Sequence, residues 1–215
     1  MSNEVTNPVL KWILIAVIAV SLCAVGAFVS LMTYPAEEYR AVKELESRGF
    51  KVRYELQGNK IWQYPILVIG EDRSITEDDS QLLCHLPRLM DLVFRRCDLS
   101  ELNLDNIGTC RKLDCFQCND VTQFPADEIN KLAACPLKRL ILKNACVNDS
   151  NLKDFAKWKT VDYIDLDNNA GITDDGFEHF EKIPSLKRLE LQKTSVTIHG
   201  VTKFKKKRPD VTVQF

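Results

Sequence analysis

The chain repeats itself, and the repeat limits its fold more than any single residue does. Six segments carry a similar core: Leu67-Val68-Ile69, Leu92-Val93-Phe94, Leu113-Asp114-Cys115, Leu140-Ile141-Leu142, Ile164-Asp165-Leu166 and Leu189-Glu190-Leu191. Their first residues lie 25, 21, 27, 24 and 25 positions apart. A short distance after each core comes an apolar residue and a polar one: Ile75-Thr76, Leu99-Ser100, Val121-Thr122, Val147-Asn148, Ile172-Thr173 and Val196-Thr197. A unit this small cannot bury its own apolar face, so neighbours must stack and share one continuous core. Such stacks work through an extended surface rather than a closed pocket.

A period in the twenties around an L-x-x-L-x-L core is the signature of a leucine-rich repeat. The expected fold is therefore α/β: a solenoid of about six repeats over 66–215, with a parallel sheet on its concave side and helices on its convex side. The helices should begin at polar residues followed by acids, as at Thr76-Glu77-Asp78-Asp79, Asn148-Asp149-Ser150 and Thr173-Asp174-Asp175, with Pro125-Ala126-Asp127-Glu128 as a further start. The short interval from 92 to 113 predicts a turn or a 3-10 segment only. Pro209 to Val213 predicts a closing strand. Residues 33–65 read as an N-terminal cap: a helix opened by Pro35-Ala36-Glu37-Glu38 and ended by Gly49, a strand at Lys51 to Leu56, and a turn at Gly58-Asn59.

Ahead of the cap, and after a polar tail at 1–11, residues 12–32 run without a charge from Trp12 to Met32. At about 1.5 Å per residue such a helix spans the hydrocarbon core of a bilayer, and it exceeds the length of a cleaved signal. The expectation is one transmembrane helix and a single-pass membrane protein. Lys11 on one flank and Arg40 and Lys43 on the other leave its sidedness open. With 29 basic and 30 acidic residues the net charge is −1, which supplies no general field for nucleic acid.

The C-terminal stretch ITDDGFEHFEKIPSLKRLELQKTSVTIHGVTKFKKKRPDVTV and the cap segment AVKELESRGFKVRYE carry a more specific likeness. They resemble bacterial, planctomycete-type, membrane-anchored leucine-rich-repeat proteins of the ribonuclease-inhibitor-like kind. A mitochondrial leucine-rich-repeat family related to ATP synthase coupling factor B is similar in the same places. The resemblance covers about residues 36–215 and implies a fold but no particular ligand.

Several motifs suggest chemistry and are better absorbed by the repeat. Cys110, Cys115 and Cys118 have the spacing of a plant-type iron–sulfur site, with Cys146 downstream. Aligned on the repeats they fall at inward positions, where thiols act as small hydrophobes. Asp165-x-Asp167-x-Asn169 opens like a calcium loop, but Ala170 and Gly176 stand where such a loop needs Gly and Glu. Asp165 and Asp167 should instead project from the sheet, while Asn169 turns inward to bond the backbone. His85, His179 and His199 stand in no nucleophile motif, and no phosphate-binding loop is present. Lys205-Lys206-Lys207-Arg208 reads as a solvated helix face.

Alternation along the strands places Val68, Val93, Asp114, Ile141, Asp165 and Glu190 outward, then Gly70, Arg95, Phe116, Lys143, Asp167 and Gln192. An apolar patch rimmed by cations is the form of an interaction site, unless the N-terminal cap or a loop covers it. The expectation is a non-catalytic, membrane-held module that binds a protein partner through Val93, Arg95, Phe116, Ile141, Lys143, Asp165 and Asp167. No cofactor, metal, nucleic acid or small-molecule substrate is expected. The rival readings are a metal or redox protein using Cys110, Cys115 and Cys118, and a mitochondrial assembly factor.

Overall fold

The structure, a computed structural model, describes residues 36–57, 62–153 and 155–215. Arg40–Phe215 forms one compact unit. Helix α1 (Ala36–Ser47) leads to strands β1 (Lys51–Gln57) and β2 (Trp62–Glu71). The repeats then alternate α2 (Glu77–Cys84), β3 (Asp91–Arg95), α3 (Leu104–Ile107), β4 (Cys115–Asn119), a 3-10 segment at Ala126–Ala134 and β5 (Arg139–Lys143). Short 3-10 turns at Asp149–Leu152 and Phe155–Lys157 lead into β6 (Tyr163–Asp165). Helix α4 (Phe177–Phe180), strand β7 (Arg188–Glu190), helix α5 (Ile198–Lys207) and strand β8 (Thr212–Gln214) follow.

Among the described residues the eight strands form one sheet in chain order. The β1–β2 pair is antiparallel and every later pair is parallel. In this register Val68, Leu92, Phe116, Leu140, Ile164, Leu189 and Val213 stand in one row, at intervals of 24, 24, 24, 24, 25 and 24 residues. The pitch is thus nearly constant, and the 21 and 27 of the sequence alignment came from a slip of three residues in the third repeat. Each coil carries two apolar residues three apart, as in Leu89-x-x-Leu92 and Leu137-x-x-Leu140. In the third the second of the pair is Phe116, so the first, Leu113, was aligned in its place. The first repeat slips by one for a similar reason, because Leu67, Val68 and Ile69 are all apolar.

After each strand the chain bends through a residue with positive φ: Asp72, Arg96, Asp120, Asn144, Asn168 and Lys193, at 54, 49, 52, 48, 61 and 56°. None is glycine, and each costs about 1 kcal/mol of backbone strain. The bend turns the N–H of the first five toward the next strand, where it bonds Arg95, Asn119, Lys143, Asp167 and Gln192 carbonyls at 2.8–3.0 Å.

On the opposite side the coils are tied through their helix starts. Thr76 and Asp79 form a reciprocal capping box. Asp149 accepts from the Thr173 amide (3.0 Å) and hydroxyl (2.6 Å), and Asp174 does the same for Thr197 (2.7 and 2.6 Å). These carboxylates lie so close to the next coil that a Cβ on Gly176 or Gly200 would stand 2.6 or 2.1 Å from the Asp149 or Asp174 oxygen. The T-x-x-G spacing in ITDDGF and VTIHGV is the sequence trace of that approach.

The core between sheet and helices is mainly apolar, with aromatic contacts such as Phe94–Phe116 (6.1 Å between centroids), Phe116–Phe124 (6.3 Å) and Phe177–Phe204 (4.9 Å).

The membrane reading is corrected. No helix of the described residues is long and apolar enough to cross a membrane. Among the described residues the fold class is therefore the α/β solenoid with no transmembrane helix, and the single-pass placement falls with it. The 1–11 tail, the 12–32 segment on which that reading rested, residues 33–35 of the cap and the Gly58-Asn59 turn lie outside the described residues.

Candidate functional site

Side chains of the parallel strands alternate between the core and the opposite face of the sheet. With the register fixed, the outward rows are Val93, Gln117, Ile141, Asp165 and Glu190, and then Arg95, Asn119, Lys143, Asp167 and Gln192. A further row holds Asp91, Cys115, Arg139, Tyr163 and Arg188. Of the sequence-predicted residues, Val93, Arg95, Ile141, Lys143, Asp165 and Asp167 share this face. Phe116 does not: it points into the core at 0% exposure, between Phe94 and Phe124. Val68 and Gly70 are likewise inward rather than outward, and Asp114 precedes its strand, 3.5 Å from both Lys138 and Arg139. Gln117 and Asn119 occupy the positions wrongly given to Asp114 and Phe116. The constant pitch of 24 would have found them.

The β6–β7 half of the face is a closed charge network. Lys143 Nζ lies 2.7 Å from Asp165, 3.2 Å from Asp167 and 4.0 Å from Glu190. Arg188 pairs with Glu190 at 2.5 Å and stacks 5.5 Å over the Tyr163 ring, whose hydroxyl donates to Asp165 at 3.1 Å. Asp167 also accepts the Gln192 amide at 2.7 Å, and Asp165 the Asp167 amide at 3.2 Å. Asp165, Asp167 and Glu190 are all buried, at 1%, 7% and 7% exposure.

Burial pushes the Asp165 carboxyl above the usual aspartate range, against the pull of its Lys143 hydrogen bond. At Glu190 burial also pushes upward, but hydrogen bonds with Arg188, Tyr163 and Asp165 outweigh it and the group falls below its ordinary value. A carboxyl that titrates higher in the folded chain favours folding most at low pH, and loses that preference as pH rises through its folded value. Asp165→Asn removes this contribution. The variant should therefore gain stability relative to the parent as pH rises from about 4 toward neutrality. Glu190 works in the opposite sense in both proteins. Urea unfolding across that range checks the sign; a difference that stays constant with pH would contradict the burial of Asp165.

Among the described residues, the one set of three or more His, Cys, Asp or Glu groups converging to within 4.8 Å is Asp165, Asp167 and Glu190. The Lys143 ammonium already stands among these carboxylates and partly balances them. The cysteines do not converge. Cys115 and Cys118, three apart on β4, face opposite sides of the sheet, and Cys110 bonds the Leu83 carbonyl (3.8 Å) on the helix side. Burial pushes the Cys110 thiol up to about 12 and the Cys115 thiol to about 11, and raises Cys118 well above its ordinary value, so all three are protonated thiols.

The β3–β5 part of the face is different in kind. Val93 is nearly buried, Ile141 and Gln117 are half-buried, and Arg95 and Asn119 lie beside them. Arg95 has no ion pair or side-chain hydrogen bond among the described residues. The Asn119 Oδ1 is buried without a hydrogen-bond partner.

Seven parallel strands at a pitch of 24–25 residues, a bend after each of the first six and a shared apolar core define a solenoid of the leucine-rich-repeat type. No protein-family model matches the chain, and no curated protein matches it. Among solved structures it is similar to a leucine-rich-repeat protein of Leptospira interrogans, with 20% identity and a TM-score of 0.47. That likeness covers 63% of this chain and 33% of the other, so the chain spans about a third of that protein's length.

Proposed function

We propose that the chain is a non-catalytic interaction module, of the bacterial ribonuclease-inhibitor-like kind its C-terminal stretch resembles, which takes a protein partner on the outward face of β3–β6. Val93, Arg95, Ile141 and Lys143 form the centre of that seat, and Asp165 and Asp167 its charged flank. The observation that carries the reading is the half-open Ile141 beside Val93, with Arg95, unpaired among the described residues, next to them. An aliphatic centre edged by an arginine is the composition of an interface core.

Binding is favoured over catalysis because the reactive groups are otherwise engaged. Cys84 Sγ lies 3.6 Å from His85 Nδ1, but both also reach the Gln81 carbonyl, at 2.9 and 2.7 Å, and burial raises the Cys84 thiol. That is the reverse of the activation a nucleophilic thiol needs.

Ile141→Asp tests the seat. Ile141 is half-exposed, so the variant should melt within a few degrees of the parent while losing its partner. The two proteins serve as baits in native extract, and retained proteins are compared by quantitative mass spectrometry. A specific partner held equally by both would place the interaction elsewhere.

A further inference from the structure

We infer that the partner presents an acidic side chain beside an aliphatic one to the β3–β5 part of this face; the inference rests on the binding role proposed above. Every described carboxylate on the strands of the face is already held by a cation of the same face or its rim. Glu71 is held by Lys51 (2.5 Å) and Arg96 (2.8 Å), Asp91 by Arg139 (2.7 Å), Asp165 and Asp167 by Lys143, and Glu190 by Arg188. Two strand cations, Arg53 and Arg95, are left without a partner among the described residues. Arg53 lies exposed on the antiparallel edge strand, opposite Leu67. Arg95 lies inside the sheet, half-buried, where an unpaired guanidinium is costly and a carboxylate would satisfy it through two parallel hydrogen bonds.

The neighbours specify more. Arg95 and Asn119 are paired in register on adjacent strands, so their side chains stand side by side, about 5 Å apart. In the adjacent row Val93 and Ile141 flank Gln117, and the half-exposed Ile141 offers aliphatic contact. Carboxylate and aliphatic side chain occur together in an extended protein segment with Asp or Glu next to Leu, Ile or Val. A nucleic acid would supply the anion but not the aliphatic group. The other described cations in these rows are already committed to carboxylates.

Short random peptides displayed on phage, panned against the full chain, provide the probe. Selected peptides are then synthesised with a fluorescent label and titrated by fluorescence polarisation. They should share an acidic residue adjoining an aliphatic one. Changing that acid to lysine should weaken binding about tenfold or more, the scale of one charge-assisted contact. Arg95→Glu should reverse the preference, so that the lysine peptide becomes the tighter ligand, and Arg95→Gln should abolish it. Circular dichroism of each variant separates misfolding from lost contact. Peptides that lose affinity with Ile141→Asp but are indifferent to Arg95→Glu overturn the acidic preference and leave the binding role standing. Peptides unaffected by either substitution, or no selected peptide at all, overturn both. Displacement of bound peptide by a single-stranded oligonucleotide at equal concentration would assign the anion site to nucleic acid and overturn the inference.

Discussion

Asn169→Ala should remove a large share of the protein's stability and lower its melting temperature by many degrees. Asn169 is 1% exposed and makes five hydrogen bonds from one side chain. Its carbonyl accepts the amides of Ala145 (3.1 Å) and Val147 (3.0 Å) in the preceding coil. Its amide donates to the Leu142, Leu166 and Asp167 carbonyls at 2.6, 2.8 and 3.2 Å. Alanine strands all these groups out of reach of water. The two stranded N–H groups, of Ala145 and Val147, each cost about 1–3 kcal/mol, so the loss should be at least roughly 2–6 kcal/mol. That approaches the whole stability of an ordinary domain, about 5–15 kcal/mol. Asn144→Gly is the control. Asn144 is exposed at the positive-φ bend one coil earlier; its side chain bonds Asp120 (3.0 Å) and its backbone N–H bond to Asp167 survives the change, so the cost should stay within about 1 kcal/mol. Thermal melts followed by circular dichroism distinguish the two, and equal behaviour would mean that Asn169 does not lock the coils.

Phe116→Ala should cost about 3–5 kcal/mol, the range for emptying a buried aromatic site. The ring is fully buried, in edge contact with Phe94 and tilted against Phe124, and its row is filled by branched or aromatic side chains in every coil. The two neighbouring rings belong to adjacent coils of a stack that cannot easily collapse, which argues for the upper part of that range. The sequence alignment, with Phe116 outward, implies instead that Phe116→Asp would spare the fold and remove only binding. On the observed register that aspartate would enter the core as an unpaired charge and prevent folding. Urea denaturation decides between them: a loss below about 1 kcal/mol for Phe116→Ala would return the ring to the surface.

Much of the architecture was legible because it rests on local chemistry. Thr76, Asn148 and Thr173 cap helical turns as their types suggest, Asn169 turns inward, and the closing strand forms. Register was less legible because each coil offers two apolar residues three apart, and only the sheet pairing says which one stands in the strand. At Phe116 that ambiguity moved a core residue to the surface and hid Gln117 and Asn119. The lengths of the helical segments were also obscure. Stretches that read as helices at Ala126–Ala134 and Asp149–Leu152 close as 3-10 turns, while a four-residue α-helix, Leu104–Ile107, occupies the interval expected to hold only a turn. Packing between coils sets those lengths, and no single coil records it. Contacts across strands, such as Arg188 stacked on Tyr163, or Lys143 among Asp165, Asp167 and Glu190, follow only once the register is known.

The recurring bend has a bearing on how such a chain changes length. Because the backbone takes the same left-handed step at Asp72, Arg96, Asp120, Asn144, Asn168 and Lys193, the chain enters and leaves each coil in one conformation. Excision from one bend to the next rejoins ends that already match, and duplication inserts a coil that fits. An odd residue is tolerated only beyond the bend, as with Ala170-Gly171 in the coil of 25. The molecule is in this sense digital: it grows or shrinks by whole coils, and its sheet face lengthens or shortens one column at a time without disturbing the columns that remain.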